Sequence, residues 1–171
     1  MSKLNIKIGD ITKETTDAIV NAANTSLLGG GGVDGAIHRA AGRELLEECM
    51  TLNGCRTGEA KITKGYNLPS KYVIHTVGPI YRGGNNNESE LLKNAYENSL
   101  KVAVENKIKT IAFPSISTGV YSYPLKEASD IAIKTILNFL KKNNSIEEVI
   151  MVCFDNNTYE YYKNALEKYN R

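Results

Sequence analysis

The spacing of apolar residues along the chain switches between a strand-like repeat of two and a helix-like repeat of three to four, which predicts alternating strands and helices. Short runs with the period of a strand, or with a continuous apolar core, lie at residues 4–11, 18–23, 60–66, 72–77, 110–115 and 148–154. Apolar residues recur every three or four positions at residues 33–53, 88–106, 125–142 and 158–169, which predicts helices there. This order favours an α/β fold: a central mixed, largely parallel sheet with helices on both faces.

Length and charge narrow the class of protein. The 171 residues fit one domain spanning residues 1–171, and no repeat or linker divides them. With 21 basic and 19 acidic residues the formal net charge is +2, and the basic residues are spread along the predicted helices. Nucleic-acid binding usually requires a concentrated basic face. We therefore expect no nucleic-acid partner.

The cysteines indicate the compartment. Cys49, Cys55 and Cys153 are odd in number and form no CxxC pair, which is typical of a reducing environment. No secretory segment follows Met1, and no apolar run reaches the roughly 18 residues of a membrane helix. We expect a cytoplasmic protein with no membrane contact. Two histidines without a cysteine pair predict no metal site, and no cofactor is expected.

Two loops at predicted strand ends have the character of anion sites. Glycines occupy positions 29–32 and 35 directly before a helix, whose first N–H groups and dipole favour an anion. Residues 115–121 combine hydroxyl side chains with Gly119, and neither loop contains Lys or Arg. Two loops lined by backbone suit a diphosphate held by N–H groups, although both could be flexible connectors.

The glycine run also matches a dinucleotide fingerprint at Gly30, Gly32 and Gly35. That fingerprint requires a turn directly after a strand and an acidic residue about 20 positions later. Residues 25–28 intervene between the strand end and the glycines, and we expect no second domain for hydride chemistry within the 171 residues. The pattern therefore does not favour a dehydrogenase.

Several polar side chains near these loops have a functional and a structural interpretation. Asp34 either stabilises a helix start or activates a water molecule, and His38 lies on the same helix face one turn later. Asn21 and Asn24 either read hydroxyl groups or cap a chain reversal. Phe154 either stacks on a base or lies in the core. His75, in an apolar strand, is interpreted as a hydrogen-bonded interior histidine.

Taken in order, these motifs resemble the macro domain family, and within it the MacroD-type branch. The resemblance covers almost the whole chain and rests on residues 9–12 (GDIT), 20–24 (VNAAN), 28–42 (LGGGGVDGAIHRAAG), 72–79 (YVIHTVGP) and 113–124 (FPSISTGVYSYP). It implies a three-layer α/β/α sandwich with a cleft for ADP-ribose.

The resemblance also implies a role for each matching residue. Asn24, Asp34 and His38 match the catalytic positions. The expected contacts to ADP-ribose come from Asp10, Ile11, Asn21, Gly30, Gly31, Gly32, Val33, Ser117, Thr118, Gly119, Val120, Tyr121 and Phe154. Among these, Asp10 would accept from the adenine amino group, and Phe154 would stack on the ring.

Relatives of this branch remove mono-ADP-ribose from acidic side chains and deacetylate O-acetyl-ADP-ribose. The resemblance therefore implies an ester hydrolase whose partners are ADP-ribose, mono-ADP-ribosylated proteins or O-acetyl-ADP-ribose. The main alternative is a binding module that reads ADP-ribose without turnover. The presence of Asn24, Asp34 and His38 together favours the enzyme.

Overall fold

The computed structural model describes residues 3–170, so Met1, Ser2 and Arg171 of the expected domain lie outside the described residues. The strands and helices, in chain order, are β1 (Lys3–Ile8), β2 (Ala18–Ala22), α1 (Gly32–Ala41), α2 (Arg43–Met50), β3 (Ala60–Lys64), β4 (Tyr72–Thr76), α3 (Glu88–Glu105), β5 (Thr110–Phe113), α4 (Leu125–Lys142), β6 (Glu148–Cys153) and α5 (Asn156–Tyr169).

The strands form a mixed sheet in the order β1-β6-β5-β2-β4-β3. Every neighbouring pair is parallel except β3 and β4, which are antiparallel. The prediction of a mixed, largely parallel sheet is therefore confirmed. The chain leaves β2 towards β4 on one side and later returns through β5 on the other, so β2 and β5 flank a topological switch point, where such sheets bind ligands.

Alternate residues of the strands face two separate cores, which places helices on both sides of the sheet. One core joins Ile19, Val73 and Val77 to apolar residues of α1 and α2. The other joins Val20 and Ile74 to α3, α4 and α5. This arrangement confirms the predicted α/β/α sandwich and fixes which strand residues face α1.

The single helix predicted over residues 33–53 is wrong, because Gly42 divides it into α1 and α2. Gly42 adopts φ 90°, a conformation that favours glycine, and its N–H donates to His38 O. The first strand is also shorter than the predicted 4–11. It ends at Ile8, and Asp10 caps a 3-10 turn at Ile11–Lys13.

No helix among residues 3–170 is long and apolar enough to cross a membrane. Cys49, Cys55 and Cys153 are buried and unpaired. Burial raises the pKa of Cys49 to about 11 and that of Cys153 to about 12, so both thiols stay protonated at neutral pH.

Candidate functional site

The segments singled out in the sequence meet at one edge of the sheet. Asp10 follows β1, Phe154 follows β6, residues 115–121 follow β5, and residues 23–32 follow β2. These four strands are parallel neighbours in that order, so their carboxyl ends form a continuous row. Three inter-strand spacings make this row roughly 14 Å long. It is long enough for an extended nucleotide-sized ligand and not only for one phosphate.

The glycine loop, residues 29–32, leads directly into α1 and offers unpaired backbone donors. Gly31 is the N-cap of α1 and has no side chain to satisfy the first-turn N–H groups. Among the described residues, the backbone N–H groups of positions 29–34 donate no hydrogen bond. A Cβ atom added at Gly31 or Gly32 would meet nothing within 4 Å, so the loop borders open space. Val33 lies half-buried beneath it, against the core of α1 and α2.

Asn24 determines the shape of this loop. Its Oδ1 accepts from Ser26 N at 3.1 Å and Leu27 N at 3.1 Å, and its Nδ2 donates to Gly29 O at 2.9 Å. These bonds support the interpretation of Asn24 as the residue that caps the chain reversal. The second proton of Nδ2 remains, and the Cβ position of Gly30 lies 3.3 Å from Nδ2. Asn24 can therefore both shape the loop and donate to a bound group.

Asp34 is buried, with 4% of its surface exposed, and faces the sheet instead of solvent. Its Oδ1 accepts from Asn21 Nδ2 at 2.8 Å, and His38 Nε2 lies 3.5 Å from the same oxygen. The expected neighbourhood of Asp34 and His38 is confirmed, but the pair does not have hydrogen-bond geometry. Asp34 Oδ2 lies 3.1 Å from the Cβ position of Gly30, so Asp34 Oδ2 and Asn24 Nδ2 both flank Gly30 without bonding to each other.

Three buried polar atoms in this cluster have no hydrogen-bond partner among residues 3–170: Asn21 Oδ1, Asp34 Oδ2 and His38 Nε2. A buried polar atom without a partner costs about 1–3 kcal/mol. Three together are better explained by binding than by stability, because a bound hydroxyl group or water would satisfy them.

The serine loop, residues 115–121, offers a second row of unpaired donors. Within the described part of the chain, no backbone N–H of positions 117–121 donates a hydrogen bond. Ser117 adopts φ 68° and packs its hydroxyl against Gly78, where any Cβ atom would collide with it. The Thr118 hydroxyl pairs with Ser115 Oγ at 2.6 Å. The Ser115 and Thr118 hydroxyl groups thus hold the loop, whereas the buried Ser117 Oγ has no hydrogen-bond partner among residues 3–170. Val120 is exposed.

Two buried tyrosines that sequence reasoning missed support the serine loop from below. Tyr162 OH on α5 lies 2.7 Å from Ser115 Oγ, and Tyr96 OH on α3 accepts from Ile116 N at 3.0 Å. Burial raises the pKa of Tyr162 to about 12 and that of Tyr96 well above its ordinary value. In the sequence both look like ordinary apolar-face residues of helices, so no local signal distinguishes them.

The far end of the row contains Asp10, Ile11 and Phe154. Asp10 Oδ1 accepts from Thr12 Oγ1 at 2.6 Å and Thr12 N at 2.9 Å, which holds the Asp10 pKa below its ordinary value. Ile11 is buried. Phe154 is 91% exposed, so its interpretation as a core residue is wrong and its ring is available for stacking.

Within residues 3–170, no group of three or more His, Cys, Asp or Glu side chains is placed to hold a metal ion. The site instead presents backbone N–H groups, the Asn21 and Asn24 amides, the Asp34 carboxylate and the His38 imidazole.

Comparison with known proteins identifies the class. The sequence profile of the Macro domain matches residues 20–132. A macro domain-containing protein of Chlorobaculum tepidum is 62% identical over 157 residues, 92% of this chain and 91% of the relative. The O-acetyl-ADP-ribose deacetylase of Citrobacter rodentium is 54% identical over 169 residues, 96% of each chain. The chain belongs to the macro domain family.

Solved structures agree with this membership. A macrodomain variant of Oceanobacillus iheyensis, solved with ADPR, superposes with a TM-score of 0.94 at 49% identity, covering 98% of this chain and 93% of the other. Similarity over nearly the whole chain means that the fold is shared from β1 to α5.

Proposed function

We propose that this chain binds ADP-ribose along the row of strand ends and hydrolyses ester bonds at the distal ribose. Its substrates would be mono-ADP-ribose on Asp or Glu side chains of proteins, and O-acetyl-ADP-ribose. The name of the Citrobacter rodentium relative and the ADPR in the Oceanobacillus iheyensis structure support this proposal.

The order of groups along the row supports one orientation of the ligand. Adenine would stack on the exposed Phe154 near Asp10, at the β1–β6 end. The diphosphate would lie between the glycine loop and the serine loop, which present unpaired N–H groups and no fixed cation. The distal ribose would then lie above Gly30, next to Asn24 and Asp34.

The buried Asp34 carboxylate is the observation that carries the hydrolytic part. Asn21 holds one oxygen, while the other, Oδ2, borders Gly30 without a partner among the described residues. A reader of ADP-ribose would not require an unpaired carboxylate oxygen beside the distal ribose. A hydrolase requires a group that orients a water and takes its proton.

In the proposed reaction the water oxygen adds to the acyl carbonyl carbon while Asp34 Oδ2 takes one water proton. The bond between the acyl carbon and the ribose oxygen then breaks, and the proton passes to that oxygen. The products are ADP-ribose with a free hydroxyl group and a carboxylic acid, which is acetic acid or the protein side chain. Asn24 Nδ2 would donate to a ribose hydroxyl, and His38 would support the carboxylate.

The test is single-turnover release of ADP-ribose from a glutamate-linked mono-ADP-ribosylated protein, with O-acetyl-ADP-ribose as a second substrate. We expect Asp34→Ala and Asp34→Asn to slow release by on the order of 10²–10⁴-fold. Both variants should still bind ADP-ribose in calorimetry. Asp130→Ala is the matched control, because Asp130 lies on α4, away from the row, and pairs with Lys126 and Lys168.

Release by Asp34→Asn at the rate of wild type would remove Asp34 from the reaction. Tight ADP-ribose binding by wild type without release of either substrate would make the protein a reader.

A further inference from the structure

Strand register places His75 directly beside the cluster around Asp34. In the parallel pair β2–β4, Asn21 is the register partner of His75. Both side chains are fully buried, and both point to the face of α1 and α2, because Ile19 and Val73, two positions earlier on each strand, pack into that core. His75 therefore lies beneath Asn21, on the same side of the sheet as Asp34.

The two amide protons of Asn21 are both used. Asn21 Nδ2 donates to Asp34 Oδ1 at 2.8 Å and to His75 Nδ1 at 3.1 Å. If the Asn21 amide were flipped, its Oδ1 would lie 2.8 Å from Asp34 Oδ1 with no proton between the two oxygens. The orientation is thus determined, and His75 Nδ1 must carry no proton.

Thr63 on β3 determines which nitrogen of His75 is protonated. The Thr63 hydroxyl donates to Lys64 O at 3.0 Å, so its oxygen is left to accept from His75 Nε2 at 2.9 Å. Cys49 Sγ also faces Nε2 but lies farther away, at 3.8 Å. Burial, and secondarily the charge of His38, lowers the pKa of His75 to about 3. The ring stays neutral at neutral pH, with Nε2 as donor and Nδ1 as acceptor.

We propose that His75 is a positioning residue, which fixes the amide of Asn21 and, through it, the carboxylate of Asp34. The hydrogen bonds run from His75 Nε2–H to Thr63, and from Asn21 Nδ2 to both His75 and Asp34. Asn21 Oδ1 and Asp34 Oδ2 are the atoms of this pair that keep no hydrogen-bond partner among residues 3–170. The inference rests on the proposed function for its effect on rate, but the hydrogen bonds can be tested separately.

The experiment compares Thr63→Val with Thr63→Ser. Valine has the shape of threonine but removes the oxygen acceptor of His75 Nε2–H and leaves Cys49 Sγ, at 3.8 Å, beside that nitrogen. Serine retains the oxygen acceptor, and neither change touches Asn21 or Asp34. A third variant, His75→Leu, removes the acceptor of Asn21. Thr76→Val is the control: Thr76 is buried on the other face of β4 and donates to Glu59 O.

We expect release of ADP-ribose to slow about tenfold or more in His75→Leu and several-fold in Thr63→Val, since small displacements of a catalytic group are costly. The Kd for ADP-ribose should change by less than about threefold. Thr63→Ser should restore the rate, and Thr76→Val should not alter it. In wild type, proton–nitrogen correlation spectra should show His75 protonated on Nε2 alone, and slow solvent exchange of the Asn21 amide protons.

A wild-type rate in His75→Leu, an equal loss in Thr76→Val, or a His75 ring protonated on Nδ1 would each overturn the inference. If wild type releases no ADP-ribose from either substrate, the proposed function fails instead. The ring protonation and the exchange of the Asn21 amide in Thr63→Val and Thr63→Ser then decide whether His75 fixes Asn21.

Discussion

The glycine loop and the serine loop border the same switch point but owe their shapes to different parts of the molecule. The shape of the glycine loop depends on its own backbone, because Gly29 at φ 95° and Gly32 at φ 58° adopt conformations that favour glycine. Among the described residues, the one side chain that hydrogen-bonds to this loop is that of the nearby Asn24. The serine loop is held from below by Tyr96 and Tyr162, which belong to distant helices.

This difference explains which loop is readable from the sequence. A loop shaped by its own glycines can be recognised from a run of consecutive residues in the sequence. A loop held by side chains of α3 and α5 contains a residue, Ser117 at φ 68°, that adopts left-handed backbone only because the surrounding structure holds it there. The two loops should therefore respond to different changes.

The largest effect on ADP-ribose affinity is expected from Gly32→Glu, which acts on the backbone of the glycine loop. A side chain at φ 58° costs about 1–2 kcal/mol, and the new carboxylate would repel the diphosphate. We expect ADP-ribose affinity to fall at least about 100-fold, or about 2.8 kcal/mol. Calorimetry measures this, with Gly83→Glu as control, since Gly83 also has positive φ and open space. Equal binding by both variants would place the diphosphate elsewhere.

Acid should loosen the region beneath the glycine loop through His75. Its folded-state pKa of about 3 lies below the ordinary 6.5, so the unfolded chain binds a proton that the folded chain does not. The free energy of unfolding should fall by about 1.6 kcal/mol between about pH 6.5 and pH 5, with the slope approaching about 1.4 kcal/mol per pH unit. Urea unfolding of wild type and His75→Leu measures the difference. If the free energies of unfolding of wild type and His75→Leu fall in parallel as the pH is lowered, His75 is not the source of the acid sensitivity.

The stabilisation that the Tyr96 and Tyr162 hydroxyl groups give to the serine loop should be lost in alkali instead. The pKa of Tyr162 is raised to about 12 from an ordinary 10, so its contribution is complete below about pH 10 and is lost as the pH rises towards 12. The two sides of the switch point therefore have opposite pH sensitivities, because one rests on an imidazole and the other on phenols.

The smallest effect is expected from Tyr162→Phe, which removes one tether of the serine loop. Loss of the hydrogen bond to Ser115 should lower stability by about 1 kcal/mol and ADP-ribose affinity by about three- to fivefold. Tyr161→Phe, on the exposed side of α5, is the control. If Ser115→Ala adds its full separate effect to Tyr162→Phe, the two hydroxyls are not coupled and the tether is not real.

Much of the architecture could be predicted from the sequence, because periodicity is a local property. The strands and the helix Leu125–Lys142 follow from apolar spacing, and the segments at the strand ends follow from the rule for parallel sheets. The prediction failed at Gly42, where periodicity continues through the break. A cap by Gly42 depends on backbone conformation, which the spacing of apolar residues does not report.

By itself, therefore, the sequence determined the α/β alternation, the glycine loop and the position of Asp34 and His38 on one helix face. Only the tertiary structure decided that Asn24 shapes the loop, that Phe154 is exposed, and that His75 and Thr63 lie beneath Asn21. The physical reason is that these facts depend on which strands are neighbours and in what register. Which strands become neighbours depends on burial over the whole chain, so no local sequence pattern predicts it.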